Sequence, residues 1–257
     1  MGKVKSSSGN RVTRDMIKNF LEQGQIFNYW SRGFDFPRRC KQIFEGVDFT
    51  DKKMLEIGCG KGLFCMWASM LGAQQVVGLE PLEEGSFDSS EIYSEFQQMV
   101  DKLKLENIDI LPERVEDYDN KGSEFDIVLS IASINHLDED HCIDLHDNEE
   151  SMNIYKAIFR NIACKTKNGG KLIILDCSNR NIFADIGVTN PMEKRIEWFK
   201  HHSPEFWAEL LSECGFSQPK ISWLSGRFLR YLRIYKRNKI LSYFIDSAFK
   251  LEMTCIK

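Results

Sequence analysis

The stretch Met54-Leu55-Glu56-Ile57-Gly58-Cys59-Gly60-Lys61-Gly62 decides the fold. Met54 to Ile57 reads as a short apolar strand, and three glycines at alternate positions follow it before the helix-forming run Leu63 to Met70. Glycine lets the backbone turn sharply and approach a ligand closely. The polar end of that ligand can meet the free N–H groups where a helix begins. Gly72 stands where the residue after a helix adopts a positive φ. A strand, a glycine turn and a helix in this order open an α/β unit.

Working outward, short β-rich runs recur at Val76 to Leu79, Ile108 to Leu111, Ile127 to Leu129 and Leu172 to Leu175, with helix-length stretches between most of them. Near-continuous apolar strands alternating with helices predict a mostly parallel sheet covered on both faces. Lys220 to Leu224 and Phe249 to Ile256 add two strands, making seven, with an insertion before the last. Arg14 to Phe49 reads as helical and rich in aromatic residues, and Pro37 breaks or restarts it. The expected organisation is an N-terminal tail and helical attachment over residues 1–50, then one α/β domain over 51–257.

The second strand ends at Glu80, twenty-two residues after Gly58. A carboxylate at a strand tip beside a glycine loop can accept both hydrogen bonds of a ribose diol, and it repels a 2′-phosphate. The glycine spacing is G-x-G-x-G. A dinucleotide pyrophosphate prefers G-x-G-x-x-G, so a nicotinamide-dependent oxidoreductase is the weaker reading.

Composition bounds the rest. Of 257 residues, 42% are hydrophobic and 28% charged, which supports a buried core and excludes disordered and fibrous classes. Mean hydropathy is -0.35, and no apolar run approaches the roughly 18 residues of a membrane span. Lys and Arg total 34 against 38 acids, so no global positive field recruits nucleic acid. Eight cysteines include no C-x-x-C pair and so no zinc-ribbon spacing. With no apolar signal stretch at the N-terminus, they predict reduced thiols in a cytoplasmic protein, mostly as small core residues. Met1 to Ser6 fits the M-G-x-x-x-[ST] acylation pattern, although its serine-rich surroundings read more simply as a polar terminus.

As a set, these features resemble the class I S-adenosylmethionine-dependent methyltransferases, whose fold is Rossmann-like. Met54 to Gly62 looks like their first motif and Glu80 like their ribose-binding acid. Phe125 to Ser130 is similar to their fourth strand, and Asn168-Gly169-Gly170-Lys171-Leu172 to the turn into their fifth. Ser203-Pro204-Glu205 and Cys214-Gly215-Phe216 match the helix and turn before strand six. The resemblance implies that Glu56, Gly58, Cys59, Gly60 and Gly62 form the cofactor loop and that Glu80 holds the ribose. It further implies that Pro81 or Leu82 packs on adenine and that Ile131 lies under the methionine portion. Arg114 falls where an adenine-contacting acid is usual, so Val115 and Glu116 are the expected substitutes. Asp176 to Asn181 and Glu197 to Trp207 are similar to bacterial surface-polysaccharide methyltransferases. They imply a small or carrier-linked acceptor, a hydroxyl of a sugar or glycan precursor. The rivals are the oxidoreductase and an inactive S-adenosylmethionine-binding protein.

His136, just after the fourth strand, is the candidate base. An ordinary imidazole titrates near about 6.5, which suits proton removal from a positioned hydroxyl. His201 and His202 precede the helix opened by Ser203 and Pro204, as acceptor contacts or as exposed imidazoles near a cap. Asp138 to Glu150 carries seven carboxylates and two histidines, yet lacks an H-E-x-x-H frame, so a solvated loop is expected and no metal. Arg227, Arg230, Arg233, Lys236, Arg237 and Lys239 come without a local acid on a segment of helical periodicity. Arg230 and Arg233 are its candidates for holding an anionic acceptor or touching a lipid surface.

Overall fold

Seven strands form one sheet in the order β3-β2-β1-β4-β5-β7-β6 in the computed structural model. It describes residues 14–27, 29, 35–81, 89–191, 194, 196–224 and 238–257, with backbone alone at 89–91. The chain divides into two compact units, 1–114 with 125–127, and 115–124 with 128–257.

In the first unit, β1 (Lys53–Ile57), β2 (Gln75–Leu79) and β3 (Ile108–Leu111) run parallel, Met54 opposite Val76 and Val76 opposite Ile108. All but the first residue of β1 and of β2 are buried, which is why both read as continuous apolar runs. The unit's helices are α1 (Arg14–Ile26), α2 (Phe36–Ile43), α3 (Leu63–Met70) and α4 (Ser89–Leu103). Pro37 lies in the first turn of α2, where its missing N–H costs nothing, and Asp35 Oδ1 caps that helix by accepting from Arg38 N at 3.1 Å. The N-terminal helices are packed into this unit. Phe36 sits 5.5 Å from Phe20, 5.5 Å from Trp67 and 5.6 Å from Phe64, ring centre to ring centre, so α1 and α2 cover α3 with an aromatic cluster.

In the second unit, β4 (Phe125–Ile131, begun by the first unit's residues 125–127) leads through a 3₁₀ turn at Ile134–His136 to α5 (Glu139–Ile143) and α6 (Glu149–Lys165). Then come β5 (Thr166–Cys177), α7 (Ile182–Asp185), a 3₁₀ turn at Trp198–Lys200, α8 (Pro204–Ser212), β6 (Phe216–Trp223), α9 (Lys239–Tyr243) and β7 (Ala248–Cys255). β7 is antiparallel to both β5 and β6. Tyr155, Phe159 and Trp207 form the aromatic centre under α6 and α8, with centroids 5.7–5.8 Å apart. Ser203 Oγ caps α8 through Phe206 N at 3.2 Å, with Pro204 in the first turn.

Two expectations need correction. The acid-rich segment is not all loop: Asp138 accepts from His141 N and nucleates α5. Asn168 to Gly170 is drawn into β5, with the expected turn surviving only as Gly169 at φ +78°. Among the described residues, no helix is long and apolar enough to cross a membrane.

Gly62 caps α3 at φ +69°, and a Cβ there would stand 2.5 Å from Ile110 Cδ1 and 2.8 Å from the Phe96 ring. Gly62→Ala therefore adds a steric clash to backbone strain. It should destabilise the protein by about 1–3 kcal/mol, read from the urea midpoint.

Candidate active site

The loop after β1 is built by its own hydrogen bonds. Gly58 N and Cys59 N both donate to Leu79 O, at 2.9 and 3.0 Å, and Gly62 N donates to Cys59 O at 2.9 Å. Gly60 N donates to Glu80 Oε2 at 2.7 Å. These amides are thus spent on shaping the loop, and the sequence expectation of free N–H groups is corrected at these four positions. Among the described residues, no hydrogen bond reaches Glu80 Oε1. Gly60 is at φ +51°, and a Cβ there would meet nothing within 4 Å, so open space faces the backbone. A half-buried carboxylate beside an unobstructed glycine fits the hydroxyls and flat edge of a ribose. Pro81 follows directly and is partly exposed; Leu82 lies outside the described residues.

Beneath the loop the chemistry is different. Glu56 is buried, and Cys65 Sγ donates to its Oε2 at 2.9 Å. Burial pushes the Glu56 carboxyl up to about 8, although hydrogen bonds from the Cys65 thiol and backbone pull the other way. Glu56 thus ties the start of α3 to β1. Cys59 and Cys65 are also buried, and burial raises both thiols, so neither is a reactive thiolate. Their sulfurs lie 2.7 and 3.1 Å from where a Gly78 Cβ would be, so β2 has glycine there to admit them.

In the second unit, Val115 is buried, Glu116 is partly exposed and Arg114, of the first unit, is exposed. Ile131 ends β4, and the chain then turns through Ala132 at φ +52°, a strained conformation for a residue with a Cβ. Ala132 N donates to Leu175 O at 2.7 Å, which sets the end of β4 against the end of β5. His136 is exposed at the close of the 3₁₀ turn, where its Nδ1 meets Glu139 Oε1. Glu139 Oε2 accepts from Lys200 Nζ at 2.8 Å, and the Lys200 and His136 contacts hold the Glu139 carboxyl below its ordinary value.

His201 and His202 are not exposed cap residues. His202 Nε2 lies 2.8 Å from Cys142 O, so it donates there, and its Nδ1 accepts from His146 Nε2 at 3.1 Å. Burial, with the neighbouring histidines, pushes its pKa down to about 4, leaving a neutral structural ring. His201 Nδ1 is 3.3 Å from Asp176 Oδ1. Burial alone would lower the His201 pKa, but the Asp176 charge and hydrogen bonding outweigh it and raise it. Asp176, near the end of β5, carries the same sequence signal as Glu80, a carboxylate closing an apolar strand. His141 is held by Asp138 at 2.7 Å. The basic candidates Arg230 and Arg233 lie outside the described residues, as do the N-terminal acylation pattern and most of the cationic segment. Lys239 is described, and it reaches Glu205 Oε1 at 3.3 Å.

Residues 29–218 match the model of a family described as a methyltransferase domain. Over 66 residues the chain is 30% identical to ribosomal protein L11 methyltransferase of Shewanella halifaxensis, covering 26% of this chain and 22% of that protein. The chain thus spans about a fifth of that relative's length. Among solved structures, it is similar to an S-adenosylmethionine-dependent methyltransferase of Thermotoga maritima, with TM-score 0.57 and 18% identity over 94% of this chain and 100% of that one. A second, from Aquifex aeolicus, has TM-score 0.55 and 14% identity over 95% and 100%.

Glu56 also sets a pH response. Its native pKa, about 8, exceeds the ordinary 4.5, so between these values the folded protein holds a proton that the unfolded chain has released. Its contribution to stability is complete below the lower value and is lost as pH rises through the upper one. The urea midpoint should fall between about pH 5 and 8.5, and Glu56→Gln should flatten that decline.

Proposed function

The chain belongs to the methyltransferase-domain family, and on that premise we propose that it methylates a hydroxyl of a small or carrier-linked acceptor, a sugar or glycan precursor. It is an S-adenosylmethionine-dependent methyltransferase, with the Rossmann-like fold of its structural neighbours. Membership sets aside the nicotinamide-dependent oxidoreductase. When bound, S-adenosylmethionine supplies an electrophilic methyl on a sulfonium. In this reading, Glu80 receives ribose hydroxyls through Oε1, Gly60 admits the ligand against the backbone, and Pro81 offers an apolar surface to adenine.

The observation that carries the hydroxyl assignment is the His136–Glu139 pair at the end of β4. A neutral amine attacks a sulfonium without help. A hydroxyl is a poor nucleophile until its proton is taken, which calls for a positioned base. Glu139 engages Nδ1 and is itself anchored by Lys200, so the ring orientation is fixed and Nε2 is available to accept a proton. The open position of His136 beyond a strand's carboxyl end is where α/β folds bind ligands. The 66-residue match to a ribosomal-protein methyltransferase is too short to bring that acceptor with it.

Calorimetry tests the cofactor half. Glu80→Ala should weaken S-adenosylmethionine binding by about 1.5–3 kcal/mol, the scale of hydrogen bonds to a charged group. Unchanged affinity in a folded variant removes the ribose role. For the chemical half, His136→Ala should lower kcat by roughly 10²–10⁴ with cofactor affinity retained, followed as S-adenosylhomocysteine release. A loss below about tenfold takes the base away from His136.

A further inference from the structure

Buried polar atoms that find no partner cluster where β4 and β5 end. Asp176 is 6% exposed; its Oδ1 accepts from Cys177 N at 2.7 Å and faces His201, while its Oδ2 is buried with no hydrogen bond. Asn135, 1% exposed and next to His136, has an unpartnered Oδ1, and so has Asn179, three residues beyond Asp176. Trp198, whose ring centre is 6.4 Å from that of His201, has a buried Nε1–H without an acceptor. Leaving a buried polar atom unpaired is costly, and a folded protein rarely keeps several in one region without a use.

The chemistry of these orphans specifies what would satisfy them. Three of these are oxygens that accept and one is an N–H that donates; His201 Nδ1, 3.3 Å from Asp176 Oδ1, is a further buried atom without a hydrogen bond. A hydroxyl both donates and accepts, so a molecule bearing several hydroxyls can meet them all. An ammonium carries donors only and would leave the Trp198 Nε1–H unmet, whereas a hydroxyl can accept from it and donate to the Asp176 and asparagine oxygens.

We propose that Asp176, with Asn135 and Asn179, receives hydroxyl groups of the acceptor, making the carboxyl ends of β4 and β5 a subsite for a neutral polyhydroxylated molecule. This rests on the methyl-transfer reading above and adds the residues that select the acceptor. Asp176 is a specificity-determining contact, and His201 positions it.

The test is a cycle between protein and acceptor. Methyl glycosides of glucose, galactose and mannose, and their single-deoxy derivatives, are offered with radiolabelled S-adenosylmethionine to the wild type and to Asp176→Ala. At least one glycoside should be methylated, and deleting a hydroxyl near the methylated position should raise the wild-type KM about tenfold or more. The same deletion should leave the variant's KM unchanged, because the partner is already gone, and S-adenosylmethionine affinity should be equal in both. Asn179→Ala, at a partly exposed position, reads the same cycle should Asp176→Ala fail to fold. A methylated glycoside whose deoxy forms cost both proteins equally overturns the subsite alone. Methylation of amines but of no glycoside overturns the hydroxyl reading and the subsite together.

Discussion

The bond from Gly60 N–H to the Glu80 carboxylate fixes the first unit's glycine loop. It joins the loop after β1 to the tip of β2, two segments that parallel pairing alone brings near but does not lock. Leu79 O, one residue earlier, takes the amides of Gly58 and Cys59. The last two residues of this strand end thus set the whole course of the loop. Gly62 can then begin α3 against Ile110 and Phe96, and Glu56 can bond the helix start from below. A single side chain fixes the loop through one carboxylate oxygen, while the other takes no hydrogen bond from the described residues.

The two units carry different kinds of preparation. In the first, the loop amides are satisfied internally, leaving an open glycine beside a half-buried carboxylate. In the second, side chains do more: Glu139 links His136 to Lys200, and Asp176 faces His201. The strained turn at Ala132 and the unpaired oxygens nearby make this a locally costly part of the second unit.

Apolar runs bounded by turn residues located every strand, since buried parallel strands differ from their surroundings in composition. Extents are less legible: β4 runs over Phe125–Ile131 rather than Ile127 to Leu129, β5 over Thr166–Cys177 rather than Leu172 to Leu175, and β6 over Phe216–Trp223 rather than Lys220 to Leu224. From Lys171 to Cys177, β5 pairs with β7, a long-range partner that no local pattern announces. Glycine spacing and the strand-tip acid identified the loop and Glu80 because both requirements are local. The burial of His202 was not legible, since it depends on Cys142 and His146 some sixty residues away in sequence. Whether a histidine titrates, binds or merely packs is decided by what tertiary structure places around it.

At one outer margin of the sheet, β6 contains Pro219, its register with β7 shifts between Ser217 and Lys220, and Gln218 between them has φ +55°. Proline removes a donor from the ladder, and the bulge twists the strand away from flat pairing. At the other margin, β3 is only four residues long. Neither border offers a long straight row of unpaired amides and carbonyls to a neighbouring chain. The sheet is finished at seven strands, and the protein carries in its own borders a barrier to strand-by-strand growth into fibres.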